Sequence, residues 1–175
     1  MKLLSVTILL SFPLFFSCSA KLPHVNVGDA VPLFTLMDQN GKNFNISDYV
    51  GKKILVIYFY PKDESGVCTK EACAFRDSYA DFTDAGAMVI GINYASVETH
   101  KSFIQNHNLP FTLLSDPGNK VLKMFGVKSK IIVTGRETFV VDLAGKVAYQ
   151  YNAFTEGKEH ADETLKFIKN MKNNK

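Results

Sequence analysis

The densest apolar run in the chain is Ile54 to Tyr60 (ILVIYFY), bounded by Lys53 and Pro61. β-Branched and aromatic residues without alternation predict a strand buried on both faces, inside a sheet. Ala87 to Ile92 (AMVIGI) predicts a second such strand. Thr112 to Leu114 predicts a short third one, closed by the turn Asp116-Pro117-Gly118-Asn119. Between these runs the sequence predicts a helix from Cys68 to about Ala85, stopped by Gly86, and another over Glu98 to His107. A short helix follows at Val121 to Phe125, before Gly126. Thr138 to Val141 and Lys146 to Tyr151 predict a hairpin across Asp142-Leu143-Ala144-Gly145. Ala161 to Met171 predicts a last amphipathic helix, with Leu165, Ile168 and Met171 at helical spacing. Strands alternating with helices, then a hairpin and a helix, predict a three-layer α/β domain around a mixed sheet.

The first twenty residues follow a different pattern. One charge, Lys2, precedes an apolar run from Leu3 to Phe16. Fourteen such residues suit the core of a secretory signal and fall short of the ~20 that span a bilayer. Cleavage after Ala20 would release a soluble exported protein. Phe15-Phe16-Ser17-Cys18 also resembles a loose bacterial lipobox, with Cys18 as a possible lipid anchor. The leader therefore predicts export, as a periplasmic protein or a membrane-anchored lipoprotein, with residues 21–175 as one domain. A buried N-terminal strand or helix is the alternative.

Composition then narrows the classes. A chain of 175 residues has the size of one domain. Its net charge of +3, with no run of five like charges, does not suit a nucleic-acid binder. Three cysteines are too few for a disulfide scaffold. Without the leader the domain keeps Cys68 and Cys73, an even pair that suggests a disulfide for part of the time. The four histidines, His24, His100, His107 and His160, are scattered and offer no metal-site spacing. No Gly-rich phosphate loop is present, and no cofactor is expected.

The candidate chemistry lies where the first buried strand ends. Tyr58-Phe59-Tyr60-Pro61-Lys62-Asp63-Glu64-Ser65-Gly66-Val67-Cys68 carries the chain through a Pro-led loop and places Cys68 at a helix start. Unpaired N–H groups and the positive end of the helix dipole there favour a thiolate over a thiol. Ser65 supplies a hydroxyl that can donate to that sulfur or to a bound oxygen. A buried structural cysteine is the alternative.

The run YFYPKDESGVCTKEACAFRD resembles the active-site segment of peroxiredoxins, in particular the bacterioferritin-comigratory or Q-type subfamily. The family pattern of Pro, three residues, Thr or Ser, two residues and Cys falls on Pro61, Ser65 and Cys68. The likeness continues through Val97 to Lys101, Leu109-Pro110-Phe111, Leu114-Ser115-Asp116 and Arg136 to Asp142. It spans roughly Val27 to Lys169. Where the subfamily usually has Thr-Pro-Gly before the cysteine, this chain has Ser65-Gly66-Val67.

The resemblance implies a thioredoxin-like fold and thiol-dependent reduction of hydrogen peroxide and organic hydroperoxides. Cys68 would be the peroxidatic cysteine, oxidised to a sulfenic acid. Pro61 would shape the pocket, Ser65 would hydrogen-bond the reacting oxygen, and Arg136 would hold the thiolate and polarise the peroxide. Cys73 would be the resolving cysteine, and a thioredoxin-like dithiol would reduce the Cys68–Cys73 disulfide. The implied partners are the peroxide and that reductant, with a monomer expected. Two other readings remain: an exported thiol-disulfide oxidoreductase, and a non-enzymatic exported binding domain stapled by a permanent disulfide. A five-residue loop would stabilise the latter only weakly.

Overall fold

The computed structural model describes residues 24–129 and 135–173. The leader, with its cleavage sites and Cys18, lies outside the described residues. Seven strands form one mixed sheet: β1 (Thr35–Asp38), β2 (Asn43–Asn45), β3 (Ile54–Phe59), β4 (Ala87–Asn93), β5 (Thr112–Ser115), β6 (Glu137–Val141) and β7 (Val147–Tyr151). Their order is β2-β1-β5-β4-β3-β6-β7. β3, β4 and β5 run parallel, while β6 pairs antiparallel with β3, as do β7 with β6 and β1 with β5. Among the described residues there are also five α-helices, α1 (Gly66–Asp77), α2 (Tyr79–Asp84), α3 (Val97–His107), α4 (Lys120–Phe125) and α5 (Gly157–Asn173), and a short 3-10 helix at Ile46–Asp48.

Strand periodicity divides the core into two halves. Ile54, Val56 and Tyr58 of β3 face one cluster, with Phe75 of α1, Phe82 of α2, Phe103 of α3 and Ile168 of α5. Leu55, Ile57 and Phe59 face the other, with Phe125 of α4 and the N-terminal Val25, Val31 and Phe34. All six residues of β3 are buried, because the strand has a sheet neighbour on each side and apolar cover on each face. The three-layer α/β architecture expected from the sequence is the one observed.

Three details differ from the sequence reading, the simplest being that the last helix, expected over Ala161 to Met171, runs from Gly157 to Asn173. The helix expected from Cys68 to Ala85 starts earlier, at Gly66, and is broken at Ser78. Ser78 has φ −100° and ψ 10°, closes α1 through bonds from its N–H to Ala74 O and Arg76 O, and opens α2. Phe75 before the break and Phe82 after it are buried in the same core cluster, so the apolar spacing persists across it. The hairpin of β1 and β2 was absent from the expectation. These strands have four and three residues and an alternating, half-exposed pattern that no apolar run announces.

Candidate active site

β3 ends at Phe59, and the segment from Tyr60 to Ser65 turns the chain into α1. Pro61 is buried at the head of this loop. Glu64 has φ 58°, the left-handed region that non-glycine residues seldom occupy. Ser65 is the N-cap residue, with extended backbone; its carbonyl accepts the first helical rung from Thr69 N at 2.8 Å. Cys68 is the third residue of α1 and only 1% exposed. Cys73 sits on the same helix, half-buried, and both cysteines are free.

Arg136 comes to Cys68 from across the sheet, at the entrance to β6. Its Nη2 donates to Cys68 Sγ at 3.1 Å, its Nε to Phe154 O at 3.1 Å, and its Nη1 to Glu71 Oε2. Glu71 lies one helical turn beyond Cys68 and is fully buried. The rigid fork of the guanidinium lets one side chain bridge the sulfur and the carboxylate. Arg136 thus brings a positive charge and a hydrogen-bond donor to the sulfur, beside the unpaired amides of the helix start.

The sequence-expected residues divide as follows. Cys68 and Arg136 meet at the mouth of α1, and Pro61 is buried at the head of the loop that leads into it. Ser65 is there too, but its hydroxyl donates back to Lys62 O at 3.2 Å rather than to the sulfur. Cys73 lies on the helix beyond them. Arg76, to which the sequence assigned no role, pairs with Asp77 at 2.8 Å and donates to His107 O at 2.9 Å.

Several polar residues around the site escaped the sequence reading. Asp63 is buried and accepts from Tyr60 Oη and Asn93 Nδ2 at 2.7 Å each, and its other oxygen meets His100 Nδ1 at 2.9 Å. Burial holds the Tyr60 hydroxyl well above the usual tyrosine range, so it stays a donor. The Glu64 carboxylate bonds Asn106 Nδ2 at 2.9 Å and His107 Nε2 at 2.8 Å. Those bonds, the His107 one first, hold it below the usual carboxylate range. Behind Glu71, His160 bonds Thr138 Oγ1 at 2.7 Å and Ala153 O at 2.9 Å. Burial lowers its pKa to about 4, leaving it neutral. Then Nε2 donates to the carbonyl and Nδ1 accepts from the threonine. The four histidines are thus not equivalent: His100 and His160 are wholly buried members of polar networks.

α5 presses on the site from outside. A Cβ on Gly157 would lie 2.5 Å from Val67 O and 3.1 Å from Glu71 Cβ, so only glycine allows α5 to approach the first turn of α1 this closely.

The chain is similar to known proteins in sequence and in fold. Residues 27–150 match the model of the AhpC/TSA family. The chloroplastic peroxiredoxin Q of Sedum lineare is 51% identical over 150 residues, covering 85% of this chain and 80% of its own. The crystal structure of peroxidoxin BcpB from Mycobacterium tuberculosis superposes with a TM-score of 0.78 at 33% identity, covering 83% of this chain and 97% of its own. A structure of the Xanthomonas campestris bacterioferritin comigratory protein, solved for its alkyl peroxide reduction activity, gives 0.74 at 29%, covering 82% and 99%. The expectation of a periplasmic or membrane-anchored protein is overturned here. The Sedum relative is chloroplastic, as are the similar proteins of Populus jackii and Arabidopsis thaliana. The export reading rested on the apolar run Leu3 to Phe16 and the small residues around Cys18, all outside the described residues, and the relatives point elsewhere.

Proposed function

The chain belongs to the AhpC/TSA family, the peroxiredoxins, and from that premise we propose how this thiol peroxidase uses its residues. The bond from Arg136 Nη2 to Cys68 Sγ at the start of α1 carries the reading. The Cys68 thiolate attacks one oxygen of hydrogen peroxide or an organic hydroperoxide. An S–O bond forms and the O–O bond breaks. The departing oxygen leaves as water or an alcohol once protonated, and the sulfur is left as a sulfenic acid. Arg136 steadies the thiolate and offers donors to the peroxide oxygens, Pro61 closes one wall, and Ser65 turns its hydroxyl from Lys62 O toward the reacting oxygen.

Cys73 then attacks the sulfenic sulfur. An S–S bond forms within the chain and water leaves, so resolution needs no second copy. A thioredoxin-like dithiol reduces the disulfide and restores both thiols. The chloroplastic relatives favour a plastid as the place of action.

Peroxide consumption coupled to thioredoxin or dithiothreitol tests the assignment. Cys68→Ser is expected to abolish turnover. Cys73→Ser should lose thioredoxin-coupled turnover while still taking up one oxygen atom per chain. Activity of Cys68→Ser within about tenfold of wild type would overturn the assignment.

A further inference from the structure

The loop that carries Pro61 and Ser65 is fastened to α3 side chain by side chain. The buried face of α3 presents His100, Phe103 and His107, spaced three and four residues apart so that they share one side of the helix. Each meets the loop at a different residue. His100 Nδ1 bonds Asp63 Oδ2 at 2.9 Å, the Phe103 ring packs 6.3 Å from the Tyr60 ring, and His107 Nε2 bonds Glu64 Oε2 at 2.8 Å. Asp63 is the innermost of these anchors. It lies two residues from Pro61 and two from Ser65, and it is joined to the ends of β3 and β4 as well as to α3. Asp63 and His100 are 3% and 0% exposed.

We propose that Asp63 and His100 are positioning residues for peroxide, holding the Pro61–Ser65 loop in the shape that presents an oxygen to Cys68. The inference rests on Cys68 being the residue that attacks peroxide. The loop needs holding. Glu64 has a left-handed backbone, which is unfavourable for a non-glycine residue, and a loop free of its anchors would relax out of it. The sulfur is held by different groups. Arg136 reaches it from β6, and Arg136 is itself fixed by Phe154 O and Glu71. Releasing the loop therefore disturbs the pocket for the peroxide and leaves the setting of the thiolate in place. Misplacing a reacting group by about 1 Å can cost on the order of 100-fold.

Two rates on the same sulfur separate these roles. Peroxide attack needs the loop; alkylation of Cys68 by iodoacetamide, read on its own peptide because Cys73 is the more exposed thiol, makes no use of the loop's hold on an oxygen. Both are measured on full-length wild type, Asp63→Ala, His100→Leu and His100→Asn. The asparagine amide sits where His Nδ1 sits and keeps a donor for Asp63. Sulfenic acid formation is expected to slow about 10- to 100-fold in Asp63→Ala and His100→Leu, with alkylation within about threefold of wild type. His100→Asn should recover most of the peroxide rate. His100→Leu carries the test if Asp63→Ala does not fold. The inference is overturned if peroxide and alkylation rates fall together, which marks a merely structural network, or if peroxide attack is unchanged. Wild-type protein that forms no sulfenic acid would instead defeat the reading of Cys68 itself, and this inference with it.

Discussion

Oxidation of the two cysteines should unwind the first turns of α1. Both are free and both lie on this helix, five residues apart. At 1.5 Å and 100° per residue on a cylinder of radius ~2.3 Å, their Cα atoms stand about 8.7 Å apart and their side chains point about 140° apart. A disulfide needs Cα atoms within roughly 7 Å and Cβ atoms near 3.8 Å. Closing a gap of about 2–3 Å while swinging one side chain around the axis is incompatible with helical backbone angles. The rungs that must open run from Thr69 N, bonded to Ser65 O at 2.8 Å, to the amide of Cys73. Beyond them α1 is better held. Phe75 is fully buried and stacks 4.7 Å from Tyr58, and Arg76 is tied to His107 O. Opening should therefore stop near Ala74.

The assay is hydrogen exchange before and after one equivalent of peroxide, with loss of two hydrogens confirmed by intact mass. Amides from Thr69 to Cys73 should exchange at least about tenfold faster, a loss of about 1.4 kcal/mol or more of local protection. Those from Ala74 to Asp77 should change less than about threefold. Equal protection over Thr69 to Cys73 in protein that has lost the two hydrogens would refute the reasoning.

Arg136→Lys should slow peroxide attack about 10²–10³-fold by stopped flow, because an ammonium cannot bridge Cys68, Glu71 and Phe154 O as the guanidinium does; a rate within about threefold of wild type would count against its role. His160, held down to about 4 by burial, refuses a proton that the unfolded chain accepts below about 6.5. Its share of stability is intact above pH 6.5 and falls away toward pH 4, by up to roughly 3 kcal/mol. Urea titrations of wild type and His160→Gln should diverge in that window, and parallel curves would show that another group governs it. Gly157→Ala should destabilise by about 1–3 kcal/mol, as its Cβ meets Val67 O at 2.5 Å; an unchanged denaturation midpoint would mean that α5 can move aside freely.

Sequence carried the fold where burial is two-sided or strictly periodic. ILVIYFY could only be an inner strand, and the Asp142–Gly145 turn was legible because Asp142 Oδ1 accepts from Ala144 N and Lys146 N, a local pattern. Ser78 was not legible as a break, since a serine inside an apolar repeat is compatible with a continuous helix. At the site, Cys68, Pro61 and Ser65 lie within eight residues, and their spacing expresses their chemistry. Arg136 was placed by resemblance alone, because 68 residues separate it from the sulfur that it touches. Asp63 with His100, and Glu71 with Arg136, were out of reach for the same reason. Each is an ordinary surface-type residue in sequence, and only the packing of α3 and β6 against the loop and α1 removes it from water. His100 did fall within a segment that resembles the family, which was the one available sign that it was more than a scattered histidine.

Because Arg136 divides its guanidinium between Cys68 and Glu71, formal charge can be followed through turnover. In the proposed cycle a thiolate, the guanidinium and a carboxylate would together leave the reduced pocket with a single net negative charge. The sulfenic acid is neutral, so oxidation leaves a balanced ion pair instead of a solitary buried cation, which would be costly. Electrostatics therefore does not expel the oxidised sulfur from its seat. In that cycle, how long the sulfenic acid stays in its seat would depend on how readily the helix start opens, where hydrogen bonding is incomplete. A second peroxide competes against that interval. The sulfinate it would produce restores the lost negative charge, so the residue that prepares the thiolate would also hold the overoxidised, inactive product in place.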